Sequence, residues 1–128
     1  MPRKIIKAPK APVPIGPYNQ AVAANNLVYT SGQIAIDPKT NEVCPGGITE
    51  QTRMVLSNLK AVLEGAGSSF DKVLKNTVFL KNMSDFTAMN AVYSEFFKAE
   101  NAPARSTIEV ARLPKDVLVE IESVAIIE

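Results

Sequence analysis

Residues 117–127 constrain the fold more than any other stretch of this chain. Read as a strand, they place Val117, Val119, Ile121, Ala125 and Ile127 on one face, and Leu118, Val124 and Ile126 on the other with Glu120 and Glu122. Both faces are largely apolar, so both need cover. The chain offers two helical patterns to provide it. In the first, Val55, Leu56, Leu59, Val62, Leu63 and Ala66 recur at helical spacing, with Thr49 as the expected N-cap and Gly65 or Gly67 as the stop. The second opens at Ser84 and Asp85, carries Phe86, Met89, Tyr93, Phe96 and Phe97 on one stripe, and ends before Pro103. Two helices cover one face of a sheet only. The second apolar face of the last strand therefore predicts that the chain associates with copies of itself.

The remaining strands follow from local signals. Lys4 to Lys7 reads as a short strand leading into an ordered proline-rich loop that ends at Gly16, Pro17 and Tyr18. Between Gln20 and Ile34 two extended runs flank Asn25 and Asn26, residues that tolerate the positive φ of a two-residue hairpin turn. A turn-rich passage runs through Asp37, Pro38, Asn41, Pro45, Gly46 and Gly47. Val73 to Leu80 is a strand, and Ala104 to Ala111 is joined to Val117 to Ile127 by a turn at Leu113 to Asp116. The order β, β, β, α, β, α, β, β is that of an α+β fold. With 128 residues, 46% of them apolar, the chain can bury roughly two thirds of its unfolded surface, enough for one domain over 1–128.

Charge and cysteine usage exclude several function classes. Fourteen basic and thirteen acidic residues leave a net +1, which supplies no field for gathering phosphate backbones or an anionic membrane. The basic residues do cluster early, as Arg3, Lys4, Lys7 and Lys10. Prolines at 2, 9, 12, 14 and 17 break any amphipathic transit helix there. No apolar run approaches a signal or membrane-spanning length, and the lone Cys44 cannot pair internally, so a reducing, cytoplasmic location is expected. The chain has no histidine and no paired-cysteine spacing, which argues against a zinc or haem site and removes the commonest general base.

Four segments carry a family resemblance: Ile15-Gly-Pro-Tyr-Asn-Gln-Ala-Val22, Tyr29-Thr-Ser-Gly-Gln33, Pro103-Ala-Arg-Ser-Thr-Ile-Glu-Val-Ala-Arg-Leu-Pro114 and Val119-Glu-Ile-Glu122. Together they run nearly end to end and closely resemble the reactive intermediate deaminase family, RidA, formerly YjgF. The resemblance implies a chorismate-mutase-like α+β fold with a six-stranded, mostly antiparallel sheet and two helices on one face. It implies assembly as a barrel-forming homotrimer with clefts between subunits. It further implies cofactor-free hydrolysis of 2-iminobutanoate and 2-iminopropanoate to 2-oxo acids and ammonia.

Each site residue has a plainer competing reading. Arg105 on a strand is ordinarily a surface or ion-pairing residue; in the family it grips the substrate carboxylate, a task suited to the two parallel donors of a guanidinium. Thr107 shares its strand face and either lines the cleft or packs. Many relatives have cysteine at this position, so no thiol role carries over, and Cys44 in a separate loop is no substitute. Glu120 lies on an otherwise apolar face and needs a cation or water; the resemblance makes it the holder of the attacking water, against a structural ion pair with a neighbouring subunit. Glu122 reads as structural. Asn90 lies on the Phe86–Tyr93 stripe, either bracing the fold or bordering the site. Tyr18, Ser31 and Gly32 become substrate-binding residues through the Gly-Pro-Tyr and Thr-Ser-Gly-Gln motifs alone.

The resulting expectation is that Arg105 and Glu120 are catalytic, with Tyr18, Ser31, Gly32, Asn90 and Thr107 around the substrate and no metal. Two other classes compete. One is an endoribonuclease acting as a translation inhibitor, an activity described for some eukaryotic relatives, for which only the N-terminal basic cluster offers a handle. The other is a ligand-binding or chaperone-like trimer without chemistry, against which Arg105 argues.

Overall fold

The computed structural model describes residues 2–128. In chain order its elements are β1 (Lys4–Ile6), β2 (Ala21–Ala24), β3 (Leu27–Thr30), β4 (Ile36–Asp37), β5 (Glu42–Val43), α1 (Ile48–Gly65), β6 (Val73–Leu80), α2 (Phe86–Phe96), β7 (Ala104–Glu109) and β8 (Val119–Ile126). Six strands form one sheet in the order β1-β2-β3-β8-β6-β7, and β4 pairs with β5 apart from it. All neighbours in the large sheet are antiparallel except β6 and β7, which α2 joins as a parallel crossover.

Local chemistry accounts for the element ends. Asn25 and Asn26 adopt φ of 51° and 68°, the left-handed pair that a tight hairpin between β2 and β3 requires. Helix α1 stops in a Schellman motif: Gly67 has φ of 82°, its N–H donates to the Glu64 carbonyl, and the Ser68 N–H donates to the Leu63 carbonyl. At its start the expectation fails. The N-cap is Gly47, not Thr49, because the Glu50 carboxylate reaches back to accept the Gly47 N–H at 2.8 Å and satisfies that end without a side chain at the cap. Helix α2 likewise begins at Phe86 after a single 3₁₀ turn over Met83–Asp85. The passage 37–43, expected to be turn alone, also closes the β4–β5 hairpin, with the Asp37 carbonyl accepting from Thr40 and Asn41.

Both helices lie on one face of the sheet. Val55, Leu56, Leu59, Val62 and Leu63 of α1 and Met89 and Val92 of α2 close over Val28, Val78, Leu80, Val119, Ile121 and Ala125, and all are buried. Each fully buried aliphatic side chain here contributes about 1.5–3 kcal/mol. The opposite face has no such cover. Pairing aligns Ile5, Val22, Tyr29 and Val124 across four strands, and Glu120, Phe79 and Ile108 across three. Ile5, Tyr29 and Ile108 are 37%, 54% and 44% exposed, well above the level of a covered sheet. The two-faced character of β8 is therefore real, and only its Val119, Ile121, Ala125 side is enclosed within one chain.

Candidate active site

The site residues expected from sequence fall into two groups, one on each face of the sheet. On the helix face, the parallel register pairs Asn76 with Arg105 and Val78 with Thr107, so both β7 side chains point toward α2. The Arg105 Nη1 donates to Asn90 Oδ1 at 2.7 Å. Its guanidinium carbon lies 4.6 Å from the centre of the Tyr93 ring and 5.5 Å from that of Phe86. Among the described residues no carboxylate pairs with Arg105, so its remaining donors are available to an anion. Thr107 follows on the same face, with a buried hydroxyl that has no hydrogen-bond partner. Asn90 and Arg105 are thus in direct contact, and Thr107 shares the strand face of Arg105.

The second group lies on the open face. Tyr18, Ser31, Gly32 and Glu120 line a cavity of about 310 Å³ walled by Ile15, Ile34 and Pro114. The rigid loop sets Tyr18: its N–H donates to the Gly16 carbonyl at 2.8 Å, and its hydroxyl oxygen accepts the Ile15 N–H at 3.3 Å, leaving the phenolic proton to donate elsewhere. Ser31 is fixed by its N–H on the Gln20 carbonyl and its hydroxyl on the Asn19 carbonyl. With its proton engaged, the Ser31 oxygen remains an acceptor. A Cβ on Gly32 would run into the Glu120 carboxyl group, which explains why glycine stands there: the carboxyl lies directly over that backbone.

Glu120 is half-buried and meets no cation among the described residues. Burial pushes its carboxyl above the ordinary carboxylate range, and the negative charge of Glu122 on the same face pushes it further the same way. Glu122 itself is exposed, in line with a structural role. A carboxyl whose proton affinity is raised, lining one cavity with a tyrosine hydroxyl and a serine oxygen, is chemically equipped for proton transfer. A larger cavity of about 500 Å³ lies between the 6–14 segment and Asn19–Gln20, but Lys7 is its one ionisable residue and it lacks an acid–base pair.

Arg105 and Glu120 of one chain therefore lie on opposite faces. Glu120 pairs through Phe79 with Ile108, three residues along β7 from Arg105 and on the other side of the pleat. One chain carries the Arg105–Asn90 pair on one face of its sheet and the Glu120 pocket on the other.

The family described as Endoribonuclease L-PSP matches residues 8–127. A RutC family protein of Synechocystis is 55% identical over 99% of this chain and 98% of its own length. The chain belongs to the RidA/RutC family. Among the relatives of this RidA protein, one of Dermatophagoides farinae, named 2-iminobutanoate/2-iminopropanoate deaminase, is 48% identical over 99% of this chain and 98% of its own. The crystal structure of Escherichia coli TdcF with bound serine superposes with a TM-score of 0.91 at 45% identity, covering 98% of this chain and 99% of that one. The α+β architecture of the RidA fold, with its six-stranded sheet and two helices on one face, is as expected. Sequence reasoning did not single out Tyr93 and Phe86 as partners of Arg105, nor Ile34 as a cavity wall. The aromatic pair had a signal, since each lies one turn from Asn90, Phe86 before it and Tyr93 after it, on the same helical stripe.

Proposed function

We propose that this RidA protein is a cofactor-free deaminase that hydrolyses short 2-imino acids, in clefts each built from two copies of the chain. The observation carrying this is the separation of Arg105 with Asn90 from the Tyr18, Ser31, Gly32, Glu120 pocket, each half chemically incomplete. The uncovered apolar face supports self-association, and the homotrimer expected from the family brings the Arg105 face of one subunit to the Glu120 face of the next. The name of the Dermatophagoides relative supports the reaction. The serine in the TdcF structure supports a small carboxylate as ligand.

In this mechanism the Arg105 fork binds the substrate carboxylate with paired charge-assisted hydrogen bonds. The Ser31 oxygen accepts from the iminium N–H, and Tyr18 and the Gly32 backbone complete the orientation. Glu120 removes a proton from water as the water oxygen bonds to the C=N carbon, and the C=N electron pair moves to nitrogen. The Glu120 proton passes to that nitrogen, the C–N bond breaks, and ammonia leaves as the Glu120 carboxylate takes the C–OH proton, which it later releases to solvent, and the 2-oxo acid forms. The protonated imine is already electrophilic, so positioning and one acid–base group, worth about 10² to 10⁴ in rate, suffice without a covalent intermediate. Cytoplasmic residence fits the lone Cys44 and the reactivity of a substrate destroyed close to its source.

The test is a coupled assay in which an amino-acid oxidase generates the imine and semicarbazide traps what survives. The protein should suppress semicarbazone formation in proportion to its concentration. Unchanged trapping with stoichiometric protein contradicts the proposal. The ribonuclease reading is separated by RNA affinity across a salt series, where phosphate contacts give a steep negative slope.

A further inference from the structure

We infer that Tyr93 is a positioning residue for Arg105, its ring serving as the platform that holds the guanidinium and its hydroxyl anchoring that platform to the centre of the sheet. The inference rests on the proposal that Arg105 grips the substrate carboxylate. Helix α2 presents Phe86, Asn90 and Tyr93 at i, i+4 and i+7, one stripe, and all three meet a single guanidinium. Asn90 accepts from one donor, while the guanidinium carbon sits over both rings, nearer that of Tyr93. A planar cation held this way has its remaining donors fixed in direction, which a flexible side chain on an edge strand otherwise lacks.

The platform is itself fixed. The Tyr93 hydroxyl accepts from Asn76 Nδ2 at 2.9 Å, Asn76 Oδ1 accepts from the Ser123 hydroxyl, and the Ser123 N–H donates to Thr30 Oγ1 at 2.9 Å. Asn76 and Ser123 are fully enclosed, in the middle of β6 and β8. Apolar residues of similar size would fill this volume without the cost of desolvating amide and hydroxyl groups. A satisfied polar chain here fixes orientation, since each partner accepts one geometry. The chain runs from Arg105 across the sheet to Thr30, the residue before Ser31. Tyr93 thus ties the anion grip to the strands that carry the other half-site. The ring also stacks against Phe97 at 4.7 Å, which prevents it from turning away.

The experiment measures binding of 2-oxobutanoate, a stable carboxylate, by calorimetry, together with imine kinetics and melting temperature. Tyr93→Leu removes the platform and should weaken 2-oxobutanoate by about tenfold, while Tyr93→Phe keeps the ring and should cost under about threefold. The loss should appear in KM more than in kcat. In an Arg105→Ala background Tyr93→Leu should change the residual binding by less than about twofold, because the two residues act as one unit. A merely structural Tyr93 would lower the melting temperature in both backgrounds without that coupling. Parental affinity in Tyr93→Leu, when Arg105→Ala has lost binding, overturns this inference and leaves the deaminase proposal standing. Parental affinity in Arg105→Ala overturns both. Should Tyr93→Leu fail to fold, the proton spectrum of the unmodified protein decides: the Arg105 Hδ protons should be shifted upfield by the ring face, and ordinary positions overturn the inference.

Discussion

Replacing Arg105 probes the account at its most exposed point, and the structure sets the magnitude. Arg105→Ala removes a charge-assisted hydrogen bond to Asn90, contacts with two aromatic rings, and the fork proposed for the substrate carboxylate. The hydrogen bond and the ring contacts belong to the free protein. The bond is worth about 1.5–3 kcal/mol, the stacking about 0.5–2 kcal/mol, and both are felt as stability. The carboxylate fork belongs to the complex. Truncating one member of such a desolvated pair costs about 2–5 kcal/mol, so kcat/KM should fall by roughly 30- to 5,000-fold. Arg105→Lys separates the two contributions. It keeps the charge but offers no planar fork, and its ammonium cannot stack on an aromatic face as a guanidinium can. It should recover part of the stability and less than about a tenth of the activity. The assay is initial-rate ammonia release from enzymatically generated 2-iminobutanoate, run beside thermal melts so that unfolding is not mistaken for lost binding. A fully active Arg105→Ala protein would refute the reasoning, and a fully active Arg105→Lys protein would refute the bidentate geometry.

Two further perturbations address the other half-site. The raised proton affinity of Glu120, from burial and then from Glu122, means that its base form is lost as pH falls through a value above the ordinary carboxylate range. The kcat/KM profile should drop on that acidic limb, and in Glu120→Gln both the limb and most of the activity should disappear. The same shift has a stability consequence of opposite sense. The folded state holds this proton more tightly than the unfolded one, so ionising Glu120 costs stability that is fully present only below the unfolded value and is lost as pH rises through the folded value. Glu120→Gln should therefore melt higher than the parent on the alkaline side and alike at low pH; a lower melt at alkaline pH, with an unshifted activity limb, speaks against a buried unpaired carboxyl. Gly32→Ala places a methyl where the Glu120 carboxyl lies, and displacing the base by about 1 Å should cost on the order of 10² in kcat. Unchanged turnover in that variant removes Glu120 from the cleft.

Much of the fold was legible because its elements are long or sharply punctuated. Val73–Leu80 was readable to the residue, since apolar and β-branched positions run between Gly67 and Asn82. Asn25 and Asn26 announced the hairpin through their tolerance of positive φ. The β4–β5 hairpin was hidden because two-residue strands have no period to detect. The start of α1 was misplaced because a glutamate at the third helical position can cap a glycine that offers no side chain of its own. Within the site, the shared face of Arg105 and Thr107 followed from strand alternation. Which face that was did not follow, because it depends on the parallel register of β7 on β6, which no local signal in either strand sets. Tyr93 read as one more aromatic of a core stripe; periodicity assigns a side to a residue and says nothing of the cation that an edge strand lays against it.

The claim that the two half-sites of one chain serve different clefts is tested most directly by mixing two inactive variants. In the proposed assembly each cleft draws its arginine from one subunit and its glutamate from the neighbour. When Arg105→Ala and Glu120→Gln subunits are unfolded together in equal amounts and refolded, each of those two choices is correct half the time. About one quarter of the clefts should then be intact, and about one quarter of the parental deaminase activity should return from two proteins that have almost none alone. Activity no higher than the average of the two variants, in oligomers verified as mixed, would contradict the account, because it would place both residues in a site supplied by a single chain.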